Sequence, residues 1–377
     1  MSIIVVAHHL SVVGTDDYWY MFGAEKNEDV IIFKPLFWQE HGIILKNNNS
    51  FSGFVRNITF VSPFSKKRKQ NIYFFLNIAK LCYYLYIFRP RYVYVMNTTN
   101  SLICLQFLLL KPFFKFKLIA WASRLEKRNF FKVFGIIKGI IFSFFRFINK
   151  LFVDAIHATS DLAALALMEE KHYCPIFVAP THAIPPHFIC RFSRSIKETP
   201  TLNIGFVGEL KDFKGVDILI RAIALSNISH ALYIIGTGPQ QSYLERLALN
   251  SDVNFNYLGS FKNEEMPEVY DNIDVLVLPS KGDGVIIEKF GRVLIEGASR
   301  GCAVVGSNVG GIPLAIGKNG LLFQDNNHTD LSMILIMLSN VRNLLKYQKL
   351  SYQYAYKNYS MSRVVKTFID NVDKNIK

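Results

Sequence analysis

The chain has 377 residues, half of them hydrophobic, and a formal net charge of +14. That length admits two domains of ordinary size, and that composition excludes a disordered or fibrous protein. The charge is one-sided: residues 1–196 hold 24 Lys and Arg against 11 Asp and Glu (+13), whereas residues 197–377 hold 19 against 18 (+1).

Within residues 51–150 there are 18 basic residues, one acidic residue (Glu126) and 18 of the 32 phenylalanines. Basic side chains mixed with large rings suit an anionic membrane surface, because the charges seek lipid phosphates while the rings settle at the interface. The alternative is a solvated basic face over an ordinary core. Positive charge also attracts nucleic acid, but no nucleic-acid-binding motif is present, so no nucleic-acid partner is expected. The five cysteines, Cys82, Cys104, Cys174, Cys190 and Cys302, are scattered and form no CxxC pair. They read as reduced, buried thiols of a cytosolic protein. The stretch Met1–Val6 lacks the basic and long apolar regions of a signal peptide.

In chain order, Ser2–Ala7 is a short apolar strand, and Arg91–Met96 and Lys117–Trp121 read as two more. Between these two, Ser101–Leu110 is apolar nearly all round and predicts a buried helix. Ser65-Lys66-Lys67-Arg68-Lys69 is a basic cluster in a loop, placed either to grip lipid head groups or simply to be solvated. In Phe130–Leu151, Lys132, Lys138, Arg146 and Lys150 interrupt a long apolar run and fall on one side of a helix. So many charges argue against a membrane span. They leave either an amphipathic helix lying in the interface or a surface helix packed on its own domain. Phe152–Ser160 is a further strand, leading into a helix with Asp161 as N-cap. Strands alternating with helices imply a parallel sheet.

Prolines and polar residues from Pro180 to Pro200 mark a join. Beyond it strand and helix alternate again: strand Leu202–Gly208, helix Val216–Leu225, strand Ala231–Ile235, helix Gln240–Ala248, strand Val253–Leu258. Then the apolar run Val275–Leu278 stops at Pro279-Ser280. After it come Glu288-Lys289-Phe290-Gly291, a helix from Gly291 that carries Glu296, the strand-like stretch Gly301–Ser307 and Gly310-Gly311-Ile312-Pro313. Two carboxylates with seven residues between them, around Phe-Gly and between those flanks, resemble the retaining glycosyltransferases of family 4, which have the GT-B fold. The match is closest over about residues 200–330 and at the C-terminal helix that opens at Tyr359.

The resemblance implies two Rossmann-like, doubly wound α/β domains facing a central cleft. Residues 1–196 would bind the acceptor and face the membrane, and residues 197–358 would bind the nucleotide-sugar donor. Residues 359–377 would be a helix crossing back to the first domain. The leaving diphosphate must be neutralised, and with no Asp-x-Asp motif for a metal this falls to cationic side chains, backbone amides and a helix N-terminus. No metal or other cofactor is expected. In the family a strand ends Gly-Arg and a Lys-Gly pair follows. Here Gly208 and Lys214-Gly215 match, but Glu209 stands in the place of the arginine. A carboxylate there repels a diphosphate. Either Glu209 points elsewhere, or Lys211 supplies the second charge, or the donor is held differently.

Family roles carried onto this chain place Glu288 at the sugar hydroxyls, the backbone of Lys289, Phe290 and Gly291 at sugar and phosphate, and Glu296 at the ribose. Gly291 lets the backbone come close, and Glu296, more than a turn into its helix, would have a carboxylate free for ribose hydroxyls. Lys214 and Glu288 are the expected catalytic pair. On the acceptor side, the loop after the first strand offers His8, His9 and Gly14, and Arg124 stands just past Trp121, at the end of a strand.

The expected function is retaining transfer from a UDP- or GDP-linked sugar to a lipid-linked or surface-polysaccharide acceptor. The protein would sit peripherally on the cytoplasmic face of the plasma membrane. A sugar-nucleotide epimerase shares the architecture but needs no acceptor. A non-catalytic GT-B subunit that binds a partner is the reading Glu209 favours.

Overall fold

A computed structural model describes residues 2–7, 16–40, 43–46, 48–62, 74–97, 101–122, 144, 147–148, 151–169, 172–195, 201–282 and 288–376. The expected acceptor residues His8, His9, Gly14 and Arg124, the basic cluster 65–69 and nearly all of segment 130–151 lie outside them. The chain divides into two compact units, residues 1–181 with 364–377, and residues 182–363.

In the first unit the strands are β1 (Ser2–Val6), β2 (Asp29–Pro35), β3 (Phe37–Glu40), β4 (Ile43–Lys46), β5 (Ser50–Ser52), β6 (Val55–Phe60), β7 (Pro90–Val95), β8 (Lys117–Ala122), β9 (Ala155–Ala158) and β10 (Ile176–Val178). One sheet runs in the order β10-β9-β8-β7-β1-β2-β6-β5. All its pairings are parallel except β5 with β6. Strands β3 and β4 form a separate antiparallel pair. The central strands are buried end to end, as the uninterrupted run Ser2-Ile3-Ile4-Val5-Val6 requires, because a parallel sheet is covered on both faces.

Helices α1 (Asp16–Lys26), α2 (Ile78–Phe88), α3 (Leu102–Phe114) and α4 (Asp161–Glu169) accompany this sheet. Two local expectations are corrected. The N-cap of α4 is Ser160, whose Oγ accepts the Ala163 N–H at 3.2 Å, so Asp161 is the first helical residue. Helix α3 is not buried all round: Ile103, Cys104, Phe107 and Leu108 face the core, while Leu109 and Phe113 are exposed.

The second unit has strands β11 (Leu202–Val207), β12 (His230–Ile235), β13 (Phe255–Gly259), β14 (Val275–Leu278), β15 (Ala303–Ser307) and β16 (Leu321–Phe323). They form one parallel sheet in the order β13-β12-β11-β14-β15-β16. Its helices are α5 (Val216–Ser226), α6 (Gln241–Asn250), α7 (Met266–Asp271), α8 (Arg292–Ser299), α9 (Ile312–Ile316), α10 (His328–Ser339) and α11 (Val341–Tyr359). The stretch after Thr181 belongs here, ahead of the join expected at 196/197. Ile184 and Phe188 lie in this unit's core, and the Arg194 guanidinium donates to the carbonyls of Asp271, Tyr270, Ile273 and Arg300.

Helix α12 (Met361–Asn375) follows α11 after Ser360. From Val364 onwards it is part of the first unit. Phe368 stands there among the rings of Tyr18, Trp19, Phe22, Tyr94, His157 and Phe177, with centroids 5.2–6.3 Å away. Asp373 pairs with Lys26 at 2.5 Å. Among the described residues no helix is long and apolar enough to cross a membrane.

Candidate active site

The strand order of the second unit reverses between β11 and β14, which are neighbours. In an open parallel sheet the crevice outside the carboxyl ends at such a switch point is where ligands bind. Both loops that carry the candidate residues leave from there. The loop after β11 contains Gly208, Glu209, Lys211 and Lys214, and the one after β14 reaches Glu288.

Glycines let these loops approach one another. At Gly215, φ is +67°, and a Cβ would lie 1.9 Å from the Pro279 carbonyl oxygen, so the turn holding Lys214 lies flush against the end of β14. The loop after β12 is joined to the one after β11 by Leu210 N–H to Thr237 O at 2.9 Å and Gln240 N–H to Leu210 O at 3.0 Å. The Glu288 backbone is held by Gly311, whose N–H donates to Glu288 O at 2.9 Å. A side chain at Gly311 would strike the Lys289 carbonyl at 2.0 Å. Gly311 therefore supports the Glu288–Phe290 backbone from behind. The Phe290 ring packs against His182 and Tyr359, at 5.0 and 5.7 Å.

These supports bring together two side chains that are 74 residues apart in sequence. Lys214 Nζ meets Glu288 Oε2 at 2.5 Å, with side-chain exposures of 18% and 14%. Half-shielded from water, this charge-assisted pair is stronger than a surface ion pair. Helix α8 begins four residues after Glu288. Its N-cap is Gly291, left-handed at φ 85°, and no side chain caps its first turn. The uncapped first-turn amides and the helix dipole make this end receptive to an anion.

Glu209 and Lys211 satisfy each other at 2.8 Å, both side chains about half exposed. The Lys211 ammonium is thus engaged by Glu209, while Lys214 is the lysine held at the crevice by Glu288. The expectation for Glu296 is corrected. Its carboxylate is not free: it is 5% exposed, accepts the Tyr270 hydroxyl at Oε2 (3.0 Å) and pairs with Arg292 Nε at Oε1 (2.9 Å). Burial raises its pKa, which Arg292 and the Tyr270 hydrogen bond partly offset. Tyr270, 26 residues away in sequence, is a partner that no local spacing could have indicated. The Ser280 hydroxyl, at the end of β14, is buried without a hydrogen-bond partner among the described residues.

Residues 201–340 match the family described as "Glycosyl transferases group 1". An uncharacterized glycosyltransferase of Methanocaldococcus jannaschii, MJ1178, is 33% identical over 144 residues, 37% of this chain and 39% of that protein. A D-inositol 3-phosphate glycosyltransferase of Corynebacterium jeikeium is 34% identical over 141 residues, 34% of this chain and 32% of that one. The chain thus spans well under half the length of the curated relatives it matches. Over nearly its whole length it shares its fold with Anabaena Alr3699/HepE, solved in complex with UDP and glucose: TM-score 0.65, 14% identity, 99% of this chain and 100% of that one.

Proposed function

From the premise that residues 201–340 belong to the group 1 glycosyltransferases and that the chain has the GT-B fold, we propose that this protein transfers a sugar from a nucleoside diphosphate-sugar to an acceptor with retention of configuration. The observation that carries the reading is the Lys214–Glu288 pair at the switch point, beside the uncapped start of α8.

In this reading Lys214 and the first amides of α8 take up the charge that develops on the departing diphosphate. Lys214 and Glu288 satisfy one another. A donor's diphosphate displaces Glu288 from Lys214, and the released carboxylate accepts hydrogen bonds from the sugar hydroxyls. The glycosidic C–O bond to the diphosphate breaks, the acceptor hydroxyl attacks from the same face, and its proton passes to the leaving phosphate oxygen. The chain then supplies position and charge, and no metal is invoked. Glu296, buried and bonded to Arg292 and Tyr270, braces the start of α8.

Calorimetric titration with UDP, GDP and ADP tests this directly. One of them should bind the wild type at micromolar strength, and Lys214→Ala should weaken it by roughly 1–3 kcal/mol. Binding of none sinks the reading.

The surface of the first unit supports a reading in which the acceptor is met at a membrane. Helix α2 exposes Ile78, Tyr83, Tyr86 and Ile87 beside Lys80 and Arg89, and α3 exposes Leu109 and Phe113 next to Lys115. Exposed rings among cations, with acidic residues nearly lacking from residues 51–150, suit an anionic leaflet. A lipid-linked or surface-polysaccharide acceptor, used at the cytoplasmic face, follows. Anionic liposomes should sediment the protein and high salt should release it; equal recovery with uncharged liposomes overturns the membrane assignment alone.

A further inference from the structure

One charged residue at the donor crevice has no part in the mechanism above. Lys281 lies just past Ser280, beyond the end of β14. Its Nζ reaches Asp212 Oδ1 at 3.0 Å and Asp217 Oδ1 at 3.1 Å, and its N–H donates to Phe213 O at 2.7 Å. These three contacts bracket Lys214. Asp212 opens the 3₁₀ turn Asp212–Lys214, Phe213 directly precedes Lys214, and Asp217 lies in the first turn of α5 just beyond it. Lys281 is itself held: the next residue, Gly282, donates its N–H to Asp325 Oδ2 at 2.9 Å.

The burial pattern shows which partners matter. The Lys281 side chain is 14% exposed and Asp217 21%, against 66% for Asp212. A lysine so covered, with two carboxylates at hydrogen-bond distance, is a shielded network and not a mobile surface pair. Burial pushes its pKa down, but the hydrogen bonds it donates to Asp212 and Asp217 and their charges outweigh it and the net shift is upward, so the ammonium stays charged. Without that charge, Asp212 and Asp217 would stand uncompensated on either side of the lysine that meets the diphosphate. Their field would oppose an incoming anion.

We propose that Lys281 is a positioning residue for the nucleoside diphosphate, fixing the turn that presents Lys214 and cancelling Asp212 and Asp217. The proposal rests on the donor-site reading above. The test compares wild type, Lys281→Met, Lys281→Arg and the triple variant Lys281→Met/Asp212→Asn/Asp217→Asn, each titrated with UDP, GDP and ADP and each unfolded thermally. For the nucleotide that binds wild type, Lys281→Met should weaken binding about 10- to 30-fold. Lys281→Arg should stay within about threefold of wild type, because it keeps the charge and the donors. The triple variant, which lacks the uncompensated carboxylates, should bind more tightly than Lys281→Met. A merely structural lysine would lower the Tm of Lys281→Met and leave its affinity within twofold of wild type, which overturns the proposal. If wild type binds none of the three nucleotides, the donor-site reading fails and this proposal with it. If wild type binds and Lys281→Met binds equally, this proposal fails alone.

Discussion

Each unit holds a close polar pair from distant parts of the sequence, and the two pairs are of opposite kind. In the first unit, the Tyr94 hydroxyl meets His157 Nδ1 at 2.6 Å, and His157 Nε2 meets the Ala179 carbonyl at 2.8 Å. A carbonyl only accepts, so Nε2 carries the proton and Nδ1 accepts from Tyr94. His157 is buried, its ring stacked on Phe177, with Phe368 against it. Burial pushes its pKa down to about 4. In the second unit, Lys214 and Glu288 are both charged, and both are reachable from the end of the sheet. A neutral pair sealed under a helix can only hold structure, because nothing reaches it. A charged pair at a switch point can exchange partners with a ligand. Depth and charge state, not the presence of polar residues, separate scaffold from site.

The comparison can be broken at either end. The largest effect is expected from Phe368→Ala, which empties the ring cage around α12 and should destabilise the first unit by about 3–5 kcal/mol, read from the shift in its denaturant midpoint. A shift below about 1 kcal/mol would mean that the cage carries little of the helix's attachment. Next is Glu288→Gln, which keeps the shape but removes the charge. Release of nucleoside diphosphate from the donor should fall on the order of 100-fold, with the unfolding midpoint little changed. An unchanged rate would return Glu288 to a purely structural role.

The third prediction concerns pH. Native His157 stays neutral down to about pH 4, whereas the unfolded chain's histidine takes up a proton near 6.5. Its folded pKa is the lower one, so its contribution is fully present above pH 6.5 and is lost as pH falls from 6.5 towards 4. Over that window the first unit should lose about 3 kcal/mol, and His157→Asn should flatten that slope. Denaturant titrations at several pH values check it, and equal slopes in wild type and variant would show that other groups set the acid response.

Much of the second unit could be read from residues alone. Four of its six strands, β11 to β14, are short runs closed by glycine or proline, and its helices fall between them, so Val275–Leu278 and the helix at Val216 appear as expected. The first unit was less legible. Strands β2 and β6, which extend its sheet beyond β1, were not anticipated, because Val55–Phe60 mixes polar and apolar residues and pairs with β2 only once the chain has folded. Local pattern also misjudged α3, where an all-round apolar sequence leaves Leu109 and Phe113 outside.

The sequence by itself determined the candidate residues around Glu288 and Lys214, because their spacing from strand ends and glycines is a local property of the chain. Only the tertiary structure decided their partners. That Lys214 meets Glu288, that Tyr270 and Arg292 occupy Glu296, that Lys211 neutralises Glu209 and that Lys281 braces the Lys214 turn are mostly long-range contacts. Three of them, Lys214–Glu288, Lys281–Asp212 and Tyr270–Glu296, join segments 74, 69 and 26 residues apart, and the first two form where β11 and β14 lie side by side. Periodicity registers which face a residue takes along one element, but not which other element will stand opposite it.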